Sequence, residues 1–532
     1  MRPQKRGVLR CEHALSWDRR RLACRARFAR FALSAGETPA VPGKSIRKLR
    51  HYLLLVFAAA LIISPANVAS LAQQTLDRTI QPKPGPIPVL RVPTWTRTQL
   101  SNGAMLVVSE RHTLPLVSFT ITFVGGSNQF EPVARRGVAA MTASMLTEGT
   151  KTRTGDQLSD ALQLLGTGVG AAIGGEDGAI SFVSTSKNFD AVLAILSDMM
   201  LNSTFPAEAL ERLRARTLVN LTQAKDQPAV VSAQVFAKVL YGDAHPYGQR
   251  TTEASVKAIT RDDVIAFQKA YFQPGRAITT VVGDVTPAKA KSAVEKAFAA
   301  WAKGGDKPSF DYPKLPKLEP AKIYLVDKPG AEQSVVNIGL PGPSRNTPDY
   351  FALQVLNQIL GGQFQSRLNA NIREEKGYSY GVGSGFGYGK GPGAFRAGGA
   401  IVSSKTDAAL IEFWKEFKGI IGEKPITDEE IKTAKESLIQ GLPQRFASVS
   451  AISGAITSLV VQGLPDDYYQ TYAKNVSAVT REDLLRVAKR YIDMNNFAIV
   501  IVGDRAKVEA PLKATGIAPI TLLDIEGNPA TP

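Results

Sequence analysis

The chain has 532 residues, of which 44% are hydrophobic and 21% charged, with a net charge of +17. That length exceeds one ordinary core, and the balance of apolar and charged residues excludes wholesale disorder. The charge does not argue for nucleic-acid binding, because Met1–His51 alone holds fourteen Lys or Arg against three Asp or Glu.

Lys44, Arg47, Lys48 and Arg50 precede an uncharged apolar run from Tyr52 to Ile63, and Pro65 and small residues around Ala69–Ala72 follow. This order is expected of a secretory signal peptide cleaved near Ala72. The run is short for a membrane span, which takes roughly 20 residues. The Arg-rich stretch before Lys44 reads either as a long n-region or as lying upstream of a later translation start, for example near Val41. Residues 1–72 are therefore assigned to an N-terminal extension and signal peptide. The body is expected in the periplasm, meeting the membrane only through the signal peptide before cleavage. Cys11 and Cys24 both lie in this leader, so the body has no disulfide and no thiolate metal site.

Residues 73–93 are Pro-rich and read as a tether. An Asn102-Gly103 turn and stretches at Met105–Ser109 and Leu116–Val124 predict strands. Helical patterns follow at Gly137–Leu146, Thr154–Leu165 and Phe189–Leu201, with a Gly/Ala-rich strand pair at Gly168–Ser184. Residues 303–320 contain four prolines and read as a semi-rigid linker. It separates a first domain, 94–302, from a second, 321–512, with a tail at 513–532.

The two domains repeat one another. TRDDVIAFQKAYF from Thr260 leads to Val282-Gly283-Asp284, and TREDLLRVAKRYI from Thr480 leads to Val502-Gly503-Asp504. Phe205–Gly242 and Ile426–Gly463 share a helix-rich pattern at nearly the same offset. Two copies of one α/β unit are expected.

Gly137-Val138-Ala139-Ala140-Met141-Thr142-Ala143-Ser144-Met145-Leu146-Thr147-Glu148-Gly149-Thr150 resembles the segment of the pitrilysin/insulinase family that is built on H-x-x-E-H. Gly-x-Ala before the motif and Met-Leu-x-x-Gly-Thr after it match, as do Phe123–Ser127 and Phe130-Glu131-Pro132 upstream. The resemblance covers Thr94 to Asp504. It implies a mixed α/β (α+β) fold of two homologous domains. Each would be a mostly antiparallel sheet with helices packed on one face, as in mitochondrial-processing-peptidase-like folds.

The family's zinc chemistry needs two histidines at i and i+4 on one helical face, a glutamate between them and a distal acidic ligand. The matching positions here are Ala140, Ala143 and Ser144, with Asn220 at the distal position. No metal and no catalytic group in cis are therefore expected. The body's two histidines, His112 in a loop between strands and His245 in a turn, have no partner at ligand spacing and read as surface or turn residues.

The second domain contains NQILGGQFQSRLNANIREEKGYSYGVGSGF, Asn357 to Phe386. Leu368 and Ile372 fall on one face of a helix ending near Glu375-Lys376, and Gly377 suits a left-handed cap. The segment resembles the family's second-domain stretch, where an arginine and a tyrosine seven residues later reach the opposite zinc site. Arg373 and Tyr380 match that pair, with Tyr378 a competitor for the tyrosine role. A guanidinium can grip a peptide carbonyl and a phenol can donate to an oxyanion; a surface ion pair and a packed strand aromatic are the plainer readings of the same residues. The glycines of Gly377–Gly399 follow no phosphate-binding turn and suit a strand pair beside a substrate cleft.

The resemblance thus implies a non-zinc-binding subunit of an exported heterodimeric metallopeptidase, inactive alone. Its partners would be a homologous zinc-binding subunit and peptide substrates, not nucleic acid, and the zinc would reside in the partner. The alternative is a peptide-binding or scaffolding pseudo-peptidase with no catalytic role.

Overall fold

The computed structural model describes residues 91–317 and 319–530. The leader, the signal-peptide segment and most of the Pro-rich tether lie outside the described residues. Two six-stranded sheets organise the rest. The first contains β1 (Thr96–Gln99), β2 (Met105–Glu110), β3 (Leu116–Val124), β4 (Gly170–Ile173), β5 (Asp177–Thr185) and β6 (Ala277–Gly283), in the order β1-β2-β6-β3-β5-β4. Only β2 and β6 pair in parallel within it.

Strict alternation makes β3 the spine of this sheet. Val117, Phe119, Ile121 and Phe123 face one core and are fully buried, while Ser118, Thr120 and Thr122 take the opposite face. Burying each of those four apolar side chains contributes about 2 kcal/mol. The longer helices of this half are α1 (Val138–Met145), α2 (Gly155–Leu164), α3 (Phe189–Leu201), α4 (Ala207–Ala224), α5 (Pro228–Tyr241), α6 (Arg261–Tyr271) and α7 (Pro287–Ala297).

The second sheet contains β7 (Lys322–Asp327), β8 (Gln333–Pro341), β9 (Ser379–Phe386), β10 (Ala394–Val402), β11 (Ala498–Gly503) and β12 (Ile520–Leu523), in the order β12-β7-β11-β8-β10-β9. Apart from the outermost β1 and β12, both sheets wind in the same order, as a duplicated unit requires. The longer helices here are α8 (Tyr350–Leu360), α9 (Thr406–Lys418), α10 (Asp428–Gly441), α11 (Val449–Gln462), α12 (Tyr468–Ala478), α13 (Arg481–Tyr491) and α14 (Arg505–Ala514). The duplicated TR[DE]D start becomes the same capping box twice. The hydroxyls of Thr260 and Thr480 accept from the Asp263 and Asp483 amides, and those carboxylates accept from the threonine amides. Each box contributes about 1 kcal/mol.

The halves are joined by exchanging one helix each. α5, from the first half, packs on β8 and β11 of the second sheet, where Asn337 Nδ2 donates to Ser232 Oγ at 2.6 Å. α11, from the second half, packs on β3 and β6 of the first sheet, with Thr120 and Ser453 hydroxyls 3.3 Å apart and Thr280 and Thr457 hydroxyls 3.1 Å apart. Each sheet thus has its own half's helices on one face and a visitor on the other.

The linker is pinned to the first half at a carboxylate that the second half also meets. Tyr312 OH donates to Glu176 Oε1 at 2.8 Å and accepts from Gln129 Nε2 at 2.8 Å. Tyr247 OH donates to the same Glu176 oxygen, and the Lys390 amide donates to the other at 2.8 Å. Burial and the Glu176 carboxylate push the Tyr247 hydroxyl well above its ordinary range. Within the stretch expected as a tail, 513–532, residues Ile520–Leu523 instead add the outermost strand of the second sheet. Ile520 and Leu522 are apolar on one strand face and pack against the core, so β12 pairs in parallel with β7. Among the described residues no helix is long and apolar enough to cross a membrane.

Candidate functional site

α1 carries the motif positions of the first half. Gly137 precedes it with φ +105°, a left-handed conformation that a side chain would strain. Glu131 seals its N-terminus: Oε1 accepts from the Gly137 and Ala139 amides at 3.0 and 2.7 Å, and Arg136 Nη1 lies 3.4 Å from Oε2. Anionic capping of a helix N-terminus is favourable, yet burial still raises the Glu131 pKa above the ordinary carboxylate value. Ala140 and Ser144 are exposed one turn apart on α1, Ala143 is buried, and Asn220 is exposed on α4, which packs against α1.

These four side chains do not fit zinc. Two methyl groups, one hydroxyl and one neutral amide offer no imidazole, thiolate or carboxylate, the donors zinc requires. Among the described residues no group of three or more His, Cys, Asp or Glu converges as a metal site.

The two body histidines have unlike surroundings. His112 is exposed and bridges two carboxylates, Nδ1 to Asp284 and Nε2 to Glu110, each at 2.7 Å. Hydrogen bonds to Asp284, then Glu110, raise its pKa above 6.5. His245 does sit in a turn, but it is fully buried among Tyr241, Tyr247 and Tyr312. Its Nδ1 accepts from the Tyr247 amide at 3.1 Å, and burial lowers its pKa.

The second half supplies exposed functional groups. After Leu368 the helix widens into a π-helix, Asn369–Glu375, a geometry often found at functional sites. Leu368 and Ile372 anchor it, both fully buried. Gly377 closes it at φ +65°, and the Tyr378 amide returns to the Ile372 carbonyl at 3.0 Å. From there the chain enters β9. Tyr378 packs against the core, Ser379 is buried with its hydroxyl on the Ala400 carbonyl, and Tyr380 points outward, 87% exposed. Tyr378 precedes the strand and packs inward, so Tyr380 rather than Tyr378 is the surface tyrosine.

Arg373 projects from the π-helix with Nε 3.1 Å from Glu374 Oε1 and its guanidinium 4.5 Å from the Phe364 ring centre. Glu374 is the ion-pair partner of Arg373 among the described residues, and the Tyr380 side chain stands open to solvent. Behind them, Asn371 Nδ2 donates to Glu412 and Glu416 on α9 at 3.1 and 2.8 Å, fixing the helix from its buried side. Sequence reasoning missed Phe364 and Asn369, although GGQF placed an aromatic side chain two residues after a glycine pair.

Residues 106–247 match the family model described as insulinase (peptidase family M16), and residues 258–438 match that described as peptidase M16 inactive domain. An uncharacterized zinc protease of Rickettsia felis is 27% identical over 401 residues, 74% of this chain and 94% of that protein. The non-peptidase homolog YmxG of Helicobacter pylori is 22% identical over 424 residues, 79% of this chain and 96% of that protein. The crystal structure of a peptidase M16 inactive domain from Pseudomonas fluorescens matches with a TM-score of 0.70 at 25% identity, over 77% of this chain and 98% of that one.

Proposed function

The chain belongs to the pitrilysin/insulinase (M16) peptidase family, and from that premise we propose that it is the non-zinc-binding subunit of an exported, heterodimeric metallopeptidase. The observation that carries this reading is the pairing of a motif without imidazole or carboxylate at Ala140, Ala143, Ser144 and Asn220 with half-exposed Arg373 and exposed Tyr380. The insulinase match, residues 106–247, contains the motif positions, and the inactive-domain match, residues 258–438, contains Arg373 and Tyr380. The basic, apolar and small-residue order of the leader supports export to the periplasm.

In this reading the metal and the water-activating glutamate belong to a homologous partner. This chain binds and orients. Arg373 donates to a peptide carbonyl, fixing the backbone beside the partner's site, and the Tyr380 phenol donates to the oxygen that gains negative charge on attack. Its exposure on β9 lets the hydroxyl reach outside its own fold.

The test is steady-state peptide hydrolysis by the purified pair. Arg373→Ala and Tyr380→Phe are each expected to lower kcat/KM about 100-fold, without changing partner affinity. Unchanged rates in both variants overturn the catalytic role. The Helicobacter pylori relative described as a non-peptidase homolog favours a second reading, peptide binding without catalysis; unchanged hydrolysis with weakened peptide binding supports that one instead.

A further inference from the structure

Arg373 shares its surface with an aromatic side chain outside the proposed pair. After α8 the chain turns at Gly361-Gly362 and presents Phe364, 59% exposed, with the Arg373 guanidinium stacked on its ring. The loop that holds it is tightly tied. Asn369, 4% exposed, donates from Nδ2 to the Phe364 carbonyl at 2.8 Å and accepts at Oδ1 from the Val382 amide of β9 at 3.3 Å. The Ser384 amide donates to the Gly361 carbonyl at 3.0 Å, and a Cβ on Gly361 would stand 2.3 Å from the Ser384 nitrogen. Loop, π-helix and strand are thus tied together, and the backbone that carries Phe364 is fixed before any ligand arrives.

We infer that Phe364 is the specificity-determining residue of this surface, receiving a large apolar or aromatic side chain of an extended peptide. The inference rests on the reading that Arg373 and Tyr380 meet peptide. One face of the ring carries a guanidinium, and the rest is apolar surface open to water. Tyr380 adds a second exposed aromatic ring on the strand that Asn369 ties to this loop. A peptide aromatic buries apolar area against such rings and meets them edge-to-face. An acidic side chain gains less, because Glu374 already balances the Arg373 charge at 3.1 Å. Asn369 is a positioning residue, acting only through the loop and β9.

The experiment is fluorescence anisotropy of the purified full chain with fluorescein-labelled decapeptides that differ only at one central residue: Phe, Leu, Ala or Glu. The wild type should bind the Phe and Leu peptides about tenfold more tightly than the Ala and Glu peptides. Phe364→Ala should erase that preference while keeping the affinity for the Ala peptide, and Phe364→Tyr should restore it. Because Phe364 is largely exposed, thermal melting of these variants should match the wild type. Peptide binding whose selectivity ignores Phe364 overturns this assignment alone. Absence of binding by the wild type overturns both it and the reading beneath it. Phe364-dependent selectivity in a pair whose hydrolysis ignores Arg373 and Tyr380 supports the assignment and removes the catalytic role.

Discussion

The two halves wind five of their six strands in the same order and then diverge in what they expose. In the first, Glu131, Gly137 and a dense core hold α1 in place, but the side chains it offers at Ala140 and Ser144 include no imidazole or carboxylate for zinc. In the second, the corresponding effort of packing supports Arg373, Tyr380 and Phe364 at the surface. The difference teaches that the frame and the chemistry are separately encoded. Caps and core residues maintain a site's scaffold whatever its exposed positions hold.

The exchanged helices show the same contrast in packing. α5 enters the second sheet through Val231, Val235, Phe236 and Leu240, all buried in one apolar cluster with Val500 and Val502. α11 meets the first sheet through small hydroxyl residues, and a cleft of about 620 Å³ lined by Thr120, Ser181, Ser453 and Thr457 remains between them. If this contrast is energetic, Phe236→Ala should cost about 4 kcal/mol in denaturant unfolding. Ser453→Ala, which removes one 3.3 Å hydroxyl contact, should cost about 1 kcal/mol or less. Equal losses would break the comparison.

A second difference lies at the starts of α4 and α10. α4 follows Pro206 without a side-chain cap and has Ala209 in its third position. α10 has Glu430 there, closing a capping box with Thr427 and pairing with buried Arg367 at 2.6 Å. Glu430→Ala leaves that guanidinium without its carboxylate and should cost about 3 kcal/mol. Burial alone would raise the Glu430 pKa, but Arg367 and Thr427 hold it down at about 2. Its contribution is therefore complete above about 4.5 and is lost as pH falls from there towards about 2. The wild-type advantage over Glu430→Ala should shrink across that window in acid titrations.

The smallest expected effect concerns His112. Its pKa is raised in the folded chain, so its bridge to Asp284 and Glu110 stabilises fully below pH about 6.5 and fades as pH climbs through the raised value. The Tm difference between wild type and His112→Gln should be positive at pH 6 and shrink in alkaline buffer. A difference independent of pH would contradict this linkage.

Much of this was legible in the sequence. Leu116–Val124 and Phe189–Leu201 form the strand and the helix their patterns predict, because strict alternation and 3.6-residue spacing each leave one reading. Gly377 follows from the same local rules, but the choice between Tyr378 and Tyr380 does not, because alternation puts residues two apart on one face. The helix exchange was not legible, since the apolar face of α5 shows only that it is covered, not by which sheet. Nor was the burial of His245, because its neighbours Tyr312 and Tyr241 lie 67 positions later and 4 earlier, in a linker and on a helix that meet only in the fold. Phe364 escaped because exposed aromatics carry no periodic signal; its role emerges from the guanidinium resting on it.

The most direct test mixes the purified chain with a homologous subunit that carries H-x-x-E-H, and measures bound zinc and peptide hydrolysis for each alone and for both. The account predicts no stoichiometric zinc and no hydrolysis for this chain alone, one zinc in the partner, and activity in the mixture well above the sum of its parts. Stoichiometric zinc with metal-dependent cleavage by the isolated chain, or a mixture no more active than the partner alone, would contradict it.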